Sequence, residues 1–305
     1  MVVFRTNASS SVGIGHLARC RRLANRLQED GSDVSFVLDQ VNSFASAYLN
    51  DFSVNELYCK DLCFDDEERD AILFIESLKN KNISCVVVDD YRLSHVWEKA
   101  VSILGKPIIA LDDQNINKHQ CDLLVDSTWQ GEDTPKRYET LVGSDTIRLL
   151  GPKYLLIDEM FGSQAPKEKS CGDGASVKLL LNLGGGGDLS ILVLIAQCLI
   201  SNKPSDTTYF ISIVAGPYAI SQDKLTDFAS RYDEVEVIFN QDGLFDHLIE
   251  TDLYVGTSGG TLFEALSLKI PALTFSVSNN QANNIENFEN LGHYFHIGSL
   301  DLDNI

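Results

Sequence analysis

A histidine stands at the start of a predicted helix near the beginning of the chain, in the stretch "SSSVGIGHLARCRRLANRL" of residues 9–27. His16 follows a glycine turn, and the apolar spacing after it predicts a helix from about residue 15 to residue 29. Histidine is the side chain that most readily exchanges a proton near neutral pH, which suits it to general-base catalysis. The sequence therefore predicts either a catalytic base or a turn histidine that bonds a backbone carbonyl.

Two glycine turns offer places where the backbone could approach an anion. The strand-like run "MVVFRT" leads into a turn with Gly13 and Gly15, and "VKLLLNL" leads into the glycines of residues 184–187. Glycine permits close approach to a ligand, and a helix N-terminus presents free amide groups to an anion. The alternative for residues 184–187 is a flexible turn. Gly13 and Gly15 match only the first part of a dinucleotide fingerprint, which disfavours a nicotinamide cofactor.

A third glycine turn, "GTSGGTLFEAL" at residues 256–266, adds a carboxylate. Glu264 comes three residues after Thr261, and a carboxylate one turn into a helix can accept hydrogen bonds from both hydroxyls of a ribose. The same local pattern fits a capping box equally well, with Thr261 as N-cap and Glu264 at the third helical position. Both interpretations stay open from the sequence.

Paired aspartates end two further strand-like runs, "SCVVVDD" and "PIIALDD". The pairs are Asp89 with Asp90 and Asp112 with Asp113. Because ligands of open α/β sheets gather beyond the carboxyl ends of the strands, all four are candidates for the same region as His16. N-capping of the next helix is the alternative for the second pair. Tyr91, directly after the first pair, is either a sugar contact or a tyrosine packed at an interface.

Short apolar, β-branched runs alternate with longer amphipathic stretches along most of the chain. This alternation predicts parallel sheets that helices cover on both faces. Residues 161–176 have no apolar period and are the predicted linker. We therefore expect an α/β protein with an N-terminal domain over residues 1–160 and a C-terminal domain over residues 177–305, facing a ligand-binding cleft.

The chain is strongly acidic: among its 305 residues, 44 Asp and Glu oppose 24 Lys and Arg, which gives a formal charge of −20. Such a charge repels nucleic acid and anionic bilayers, so neither is an expected partner. We expect no membrane span and no signal peptide. Seven scattered cysteines indicate reduced thiols in a cytoplasmic protein. Cys59 and Cys63 lack a second ligand pair, so we expect no metal site.

Four motifs, taken in order, resemble a known family. They are "FRTNASSSVGIGHLARCRRLANRL", "LLGPKYLLIDEMF", "GTSGGTLFEAL" and "NNQANNIENF". Together they are similar to the UDP-sugar hydrolases of pseudaminic acid biosynthesis, a group that includes the SpsG-like proteins and is related to MurG-type glycosyltransferases. The resemblance covers residues 4–287 and implies a GT-B-like architecture of two Rossmann-like, doubly wound domains.

The resemblance also implies a reaction and its residues. The reaction is the release of UDP from a UDP-2,4-diacetamido-2,4,6-trideoxy-hexose by water, without a metal or other cofactor and with inversion at the anomeric carbon. His16 of the "GxGHxxRC" motif would be the catalytic residue. The residues implied for the sugar are Arg5, Gly13, Gly15, Arg19, Tyr91 and Gln281. The residues implied for UDP are Gly185, Gly186, Ser258, Gly259, Gly260, Thr261 and Glu264.

This chain departs from the family pattern at two positions. Asn7 stands where an acid is usual, and Asp158 stands where an arginine is frequent, and both bear on which sugar would be accepted. The sequence also stops short of the last helix that a GT-B protein normally has, as a truncated or naturally shorter member would. The alternative functions are a glycosyltransferase of the same fold and a non-catalytic module that binds a UDP-sugar. The sequence predicts neither the exact sugar nor the oligomeric state.

Overall fold

A computed structural model describes residues 1–9, 12–58, 64–163, 176–239, 243–277 and 294–300. The chain divides into two compact units, Met1–Leu156 and Ile157–Ile305. The first boundary lies a few residues before the expected end of the N-terminal domain at residue 160, and most of the expected linker lies outside the described residues. Within the described residues, no helix combines the length and the apolar character needed to cross a membrane.

The N-terminal unit is built on a parallel sheet. Its strands are β1 (Val2–Thr6), β2 (Val34–Leu38), β3 (Ser53–Glu56), β4 (Cys85–Asp89), β5 (Ile108–Leu111), β6 (Leu123–Asp126) and β7 (Ile147–Leu150). Its helices are α1 (Gly15–Glu29), α2 (Ser43–Tyr48), α3 (Glu67–Ser77) and α4 (His95–Val101). The strands lie in the order β3-β2-β1-β4-β5-β6-β7, and each pairs in parallel with its neighbour.

Both faces of this sheet are buried against helices. Successive side chains of a strand point to opposite faces, so neighbouring residues of β1 pack in different clusters. On one face, Phe4 of β1 packs in a cluster with Leu17 of α1. On the other face, Val3 packs in a cluster with Phe74 of α3 and Trp97 of α4. Apolar residues at consecutive positions of the strands are therefore required, which accounts for the continuous runs in the sequence.

The C-terminal unit repeats this plan with a main sheet that has six strands among the described residues. Its strands are β8 (Ser176–Asn182), β9 (Gly186–Asp188), β10 (Thr208–Ala215), β11 (Tyr218–Ile220), β12 (Val235–Phe239), β13 (Leu253–Thr257), β14 (Ala272–Ser276) and β15 (Tyr294–Ser299). Its helices are α5 (Glu159–Ser163), α6 (Ser190–Asn202), α7 (Gln222–Ala229), α8 (Phe245–Leu248) and α9 (Gly260–Ser267). The main sheet has the order β12-β10-β8-β13-β14-β15, and β9 pairs with β11 in a separate two-stranded ribbon.

In each of the two main sheets, the chain reverses its winding direction once. The chain passes from β1 to β2 and β3 on one side and then returns to β4 on the other side of β1. In the second unit, β8 is followed by β10 and β12 on one side and then by β13 on the other. Ligands of open α/β sheets bind at such switch points, beyond the carboxyl ends of the strands. The predicted α/β class is confirmed, and the fold directs attention to the ends of β1, β4, β8 and β13.

Candidate active site

One face of α1 meets a buried carboxylate at the first switch point. His16, Arg19 and Cys20 are spaced by three and four residues, so they lie on the same face of the helix. All three contact Asp89, the last residue of β4: His16 Nδ1 lies 2.5 Å from Oδ1, Arg19 Nε 2.6 Å from Oδ2, and the Cys20 sulfur 3.4 Å from Oδ2. The spacing of the "GHxxRC" motif is therefore the spacing needed to surround one aspartate.

Asp89 is ionised in this environment although it is fully buried. Burial alone would raise the pKa of its carboxyl, but the charges of Arg19 and His16 and their hydrogen bonds hold that pKa well below its usual range. Arg19 donates to both carboxylate oxygens, with Nη2 2.6 Å from Oδ1. A buried carboxylate paired in two places with one guanidinium is a fixed, charged acceptor.

The Asp89 contact decides which nitrogen of His16 is available. An ionised carboxylate only accepts hydrogen bonds, so Nδ1 of His16 donates to Asp89. In the neutral ring, the lone pair then lies on Nε2, which has no hydrogen-bond partner among the residues that the structure describes. The His16 side chain is 9% exposed, so this nitrogen is at the edge of solvent. The pair has the arrangement in which a carboxylate holds a histidine ready to accept a proton.

A second carboxylate and a tyrosine complete the cluster. Asp113, beyond the end of β5, accepts a hydrogen bond from Arg19 Nη1 at 2.8 Å and one from the Tyr91 hydroxyl at 2.5 Å. The Tyr91 ring meets the His16 ring edge-on, with 4.3 Å between the ring centroids. Five of the six side chains thus form a closed ring of contacts, in which His16 is held by Asp89 on one side and by Tyr91 on another. Cys20 lies outside this ring and contacts Asp89.

The two glycines before His16 have different roles. Gly13 has a φ of 80°, a left-handed conformation that glycine adopts without strain, and it closes the turn through a hydrogen bond from its amide to the Ser9 carbonyl. Gly15 is the first residue of α1. This local structure brings His16 to the end of β1, where the site lies.

Arg5 is not in this cluster. Its side chain has no exposed surface, and its guanidinium donates to Asp70 on α3 and to Asp39 beyond β2, with Nη2 2.5 Å from an oxygen of each. Asn7 donates to the other oxygen of Asp39 at 3.0 Å. The expected sugar contact at Arg5 is therefore placed in the interior of the N-terminal unit, because two acids from other elements surround its charge.

In the C-terminal unit, the glycine run does not lead directly into a helix as the sequence suggested. Gly186, Gly187 and Asp188 form β9, and the Asp188 carboxylate, one residue before the N-cap Leu189, accepts a hydrogen bond from the Ser190 amide at the start of α6 at 2.9 Å. The Asp188 carboxylate therefore occupies the place that an anion would take at the start of α6. Gly185 and Gly186 lie on the strand ends and ribbon rather than at a helix N-terminus.

The helix α9 starts differently. Its N-cap is Gly259, no side chain caps it, and its first turn contains no acidic residue. Thr261 Oγ1 accepts a hydrogen bond from Asn182 Nδ2 at 3.0 Å, and Asn182 Oδ1 accepts one from the Gly184 amide at 2.6 Å. Asn182, which sequence reasoning missed, thus ties the glycine run to the start of α9 at the second switch point. Its position as the last residue of β8 was the available clue.

Glu264 lies inside the C-terminal unit, with 4% of its surface exposed. It is the fifth residue of α9 rather than the third, so the capping box proposed as an alternative is wrong, because the helix begins two residues earlier than that box requires. Burial, and then the Glu264 charge, raise the pKa of Tyr254. Ser258 is also buried, with Oγ 3.5 Å from the Tyr294 hydroxyl.

Some expectations concern residues outside the part of the chain that the structure describes. Gln281, expected to contact the sugar, lies outside the described residues, as do Cys59 and Cys63. Among the residues that are described, no group of three or more His, Cys, Asp or Glu side chains is arranged to hold a metal ion.

Comparisons with known proteins find distant relatives of this chain. No protein-family model matches it. An uncharacterized protein of Methanocaldococcus jannaschii is 26% identical over 273 residues, which are 88% of this chain but 54% of that protein, so this chain spans about half the length of that relative. The UDP-2,4-diacetamido-2,4,6-trideoxy-beta-L-altropyranose hydrolase of Campylobacter jejuni is 24% identical over 277 residues, 88% of each chain. The chain is a distant homologue of this hydrolase.

Solved structures give the fold. MurG of Acinetobacter baumannii superposes with a TM-score of 0.64 at 13% identity, covering 97% of this chain and 86% of that one. The spinosyn rhamnosyltransferase SpnG has a TM-score of 0.64 at 14% identity, with the same coverage. The chain has the GT-B fold.

Within this GT-B chain, the implied site residues fall into separate groups. His16, Arg19 and Tyr91 come together at the first switch point. Gly259, Gly260 and Thr261 come together at the start of α9, and Asn182 connects this turn to the glycine run through two hydrogen bonds.

Proposed function

We propose that the chain is a UDP-sugar hydrolase that releases UDP from a UDP-2,4-diacetamido-2,4,6-trideoxy-hexose in the cytoplasm, in the biosynthesis of a pseudaminic-type nonulosonic acid. The observation that carries the proposal is the His16–Asp89 pair, which leaves Nε2 of the ring without a partner among the described residues. The homology to the Campylobacter hydrolase supports the choice of substrate class.

The proposed reaction is a single displacement at the anomeric carbon. A water molecule gives its proton to His16 Nε2 while its oxygen forms a bond to the anomeric carbon, and the bond from that carbon to the UDP oxygen breaks. The products are the free sugar with inverted anomeric configuration and UDP. Asp89 stabilises the imidazolium that forms, because it faces the Nδ1–H. General-base assistance of this kind typically contributes about 10² to 10⁴ in rate.

The start of α9 is the proposed site for the diphosphate. Its backbone amides and helix dipole favour negative charge, and neither a capping side chain nor a first-turn acid competes for that place. Hydrogen bonds from the backbone would stabilise the leaving UDP, so we propose that hydrolysis needs no metal. Unchanged UDP release after treatment with EDTA is expected, and a loss that Mg²⁺ restores would contradict this part of the proposal.

Replacing the proposed base gives the direct test. UDP release from a panel of UDP-diacetamido-trideoxy-hexoses is measured for the parent protein, for His16→Asn and for His95→Asn, with anomer-resolved NMR of the sugar product. His95, the first residue of α4, serves as a matched control. We expect His16→Asn to lose turnover with an unchanged melting temperature, and His95→Asn to keep it. Equal turnover in all three proteins would rule out His16 as the base.

A glycosyltransferase is the second candidate, because the GT-B neighbours include the rhamnosyltransferase SpnG. The same UDP site would serve, but the sugar would pass to an acceptor instead of water. Release of UDP in the absence of any acceptor supports hydrolysis, whereas release only after an acceptor is added supports transfer. Tight binding of a UDP-sugar with no release over hours would indicate a binding module.

A further inference from the structure

A buried histidine behind the candidate site joins α4 to the loop that follows β5. The His119 side chain is 5% exposed, with Nδ1 2.7 Å from Glu98 Oε1 and Nε2 3.3 Å from Asp112 Oδ2. Glu98 has no exposed surface. Because a carboxylate faces each ring nitrogen, the ring satisfies both acids only when it carries two protons.

The loop that His119 holds is the loop that presents Asp113. Asp112 Oδ2 also accepts a hydrogen bond from the Tyr138 hydroxyl at 3.0 Å. Arg137 Nη2 donates to the Asp113 carbonyl at 2.9 Å. The backbone on both sides of the Asp112–Asp113 peptide is thus fixed from behind, while the Asp113 carboxylate points forward to Arg19 and Tyr91.

A small cavity lies between the histidine and the site. It has a volume of about 10 Å³, roughly that of one water molecule, and Tyr91, Asp112, Asn117 and His119 are among its lining residues. Asn117 Nδ2 also donates to the Tyr91 carbonyl at 3.4 Å. Tyr91 and His119 therefore line the same cavity, so a displacement of the His119 side chain is transmitted to Tyr91 over a short distance.

We propose that His119 is a positioning residue for the hydrolysis proposed above: its two hydrogen bonds fix the loop after β5 so that Asp113 holds Arg19 and Tyr91 against His16. The proposal rests on the proposed function for its kinetic consequence. Its structural consequence, that the His119 cluster and the His16 cluster respond together, does not depend on any substrate.

With a proton on each ring nitrogen, His119 donates both to Glu98 on α4 and to Asp112 in the loop after β5. Burial would lower the pKa of His119, but hydrogen bonds to Asp112 and Glu98 and the charges of both acids raise it to about 9. The groups that face the ring are Glu98 from α4, Asp112 beyond β5, the Tyr138 ring at 6.2 Å between centroids, and, near Glu98, the Cys121 thiol. Above pH 9 the neutral ring donates only once, so one of the two carboxylates loses its hydrogen bond from His119 and keeps only its other donors. The longer contact, to Asp112, is the one we expect to break.

The kinetic test compares pH profiles of UDP release between pH 6 and 10.5. The proteins are the parent chain, His119→Gln, Glu98→Gln and the control His95→Gln. We expect turnover of the parent to fall as the pH rises through about 9. His119→Gln is expected to lose roughly tenfold in turnover at neutral pH and to lack this alkaline limb. Glu98→Gln removes one of the two acids, so its limb is expected to move down by about one pH unit or more.

A profile of His119→Gln with the same alkaline limb as the parent would overturn the proposal, and so would an unmoved limb in Glu98→Gln. His95→Gln is expected to follow the parent throughout. Using the pH profile separates positioning from a general loss of stability, because destabilisation alone lowers turnover without removing a titration from it.

NMR of histidine side chains gives a readout that needs no activity. In the full chain labelled at histidine, we expect one imidazole to titrate near pH 9, to be missing in His119→Gln, and the His16 resonance to shift in the same step. A His16 resonance that does not respond at that pH would overturn the coupling. If no sugar nucleotide is hydrolysed, the proposed function fails, yet this measurement still decides whether the two clusters are linked.

Discussion

Asp89 accepts hydrogen bonds from three side chains of one helix face, so its replacement tests how much its charge contributes. In Asp89→Asn, the amide nitrogen would direct a donor at His16 or Arg19, and both already donate to this position. We expect kcat for UDP release to fall by roughly 10² to 10⁴, because the His16 ring loses the acceptor that fixes its tautomer. Steady-state UDP release at saturating UDP-sugar measures the effect.

The matched control is Asp145→Asn, since Asp145 is an exposed acid of the same unit. It is expected to keep the parent turnover. Asp89→Asn with full turnover and a parent-like melting temperature would show that His16 needs no charged partner, and the proposed mechanism would lose its central feature.

Arg5 gives a prediction that separates a structural role from the substrate contact that the sequence implied. Its guanidinium pairs with Asp70 and Asp39 in the interior, so Arg5→Met leaves the fully buried Asp70 carboxylate without its cationic partner. Among the described residues, only the neutral donors Tyr58 and Trp97 then remain on that carboxylate. Breaking a buried ion pair from one side typically costs about 3 to 5 kcal/mol. We therefore expect a comparable loss in the free energy of unfolding, measured by urea denaturation.

Arg26 is the comparison for Arg5. It pairs with Glu29 and Asp30 on the surface at 3.5 to 3.6 Å and is 52% exposed. Arg26→Met is expected to cost about 0.5 kcal/mol or less, as exposed pairs do. If Arg5→Met instead kept its stability and raised KM for the sugar nucleotide, the guanidinium would be a ligand contact, and its place in the interior would not describe the working protein.

At the scale of elements, periodicity predicted the parts of the fold with strong repeating patterns. The helix expected over residues 15–29 is α1, Gly15–Glu29, and the strand-like runs around it are β1 and β2. Of the four candidate aspartates at the ends of β4 and β5, Asp89 and Asp113 lie in the cluster around His16, because parallel strands end at the same edge of a sheet. Asp90 instead accepts hydrogen bonds from Arg92, and Asp112 accepts them from His119 and Tyr138. The local sequence was therefore sufficient to predict which residues lie near His16 at this edge of the N-terminal sheet.

Elements defined by distant partners were not predictable in this way. The ribbon of β9 and β11 has two strands of three residues, one of them largely glycine, and neither has a pattern of its own. The hydrogen bond from Asn182 to Thr261 joins residues 79 positions apart, and the hydrogen bond between His119 and Glu98 joins the loop after β5 to α4. Such contacts follow from the order of strands in the sheet, which no local window contains.

The ribbon yields a prediction about the glycine run. A Cβ at Gly216 would collide with the Gly184 carbonyl oxygen and with the backbone of Gly185, so Gly216→Ala must displace the run. Overpacking of this kind typically costs about 1 to 3 kcal/mol. We expect a loss of stability in that range and a higher Kd for UDP, measured by urea denaturation and by calorimetric titration.

Gly143→Ala is the control, because a Cβ there meets only Thr146 Oγ1, at 3.8 Å, in ordinary contact. It is expected to leave both quantities unchanged within error. A Gly216→Ala protein with parent affinity for UDP would mean that the conformation of the glycine run does not matter for the nucleotide.

At the scale of the whole molecule, the same winding pattern occurs twice and places a different chemistry at each switch point. The first has an ionised acid, a histidine and an arginine. The second has glycines, an asparagine and an uncapped helix start. With a formal charge of −20, the chain as a whole repels a nucleotide, so any UDP site depends on local donors such as backbone amides.

This contrast predicts that substitutions at the second switch point weaken UDP binding, whereas substitutions at the first lower turnover. Asn182→Ala removes the hydrogen bonds to the Gly184 amide and to Thr261, and the loss of one such anchored bond typically corresponds to about 1 to 1.5 kcal/mol. We expect the Kd for UDP to rise about tenfold in Asn182→Ala and to change less than about twofold in His16→Asn, with the order reversed for kcat at saturation. Isothermal titration with UDP and steady-state release on the same protein preparations measure both.

Asn202→Ala is the control for the asparagine, since Asn202 is exposed and bonds only within α6, to Cys198. It is expected to match the parent in both measurements. If His16→Asn weakened UDP binding as much as Asn182→Ala does, the histidine would be a nucleotide contact, and the assignment of diphosphate to the start of α9 would have to be abandoned. A loss of kcat alone in Asn182→Ala, with an unchanged Kd, would instead make the C-terminal glycine run part of the reacting centre.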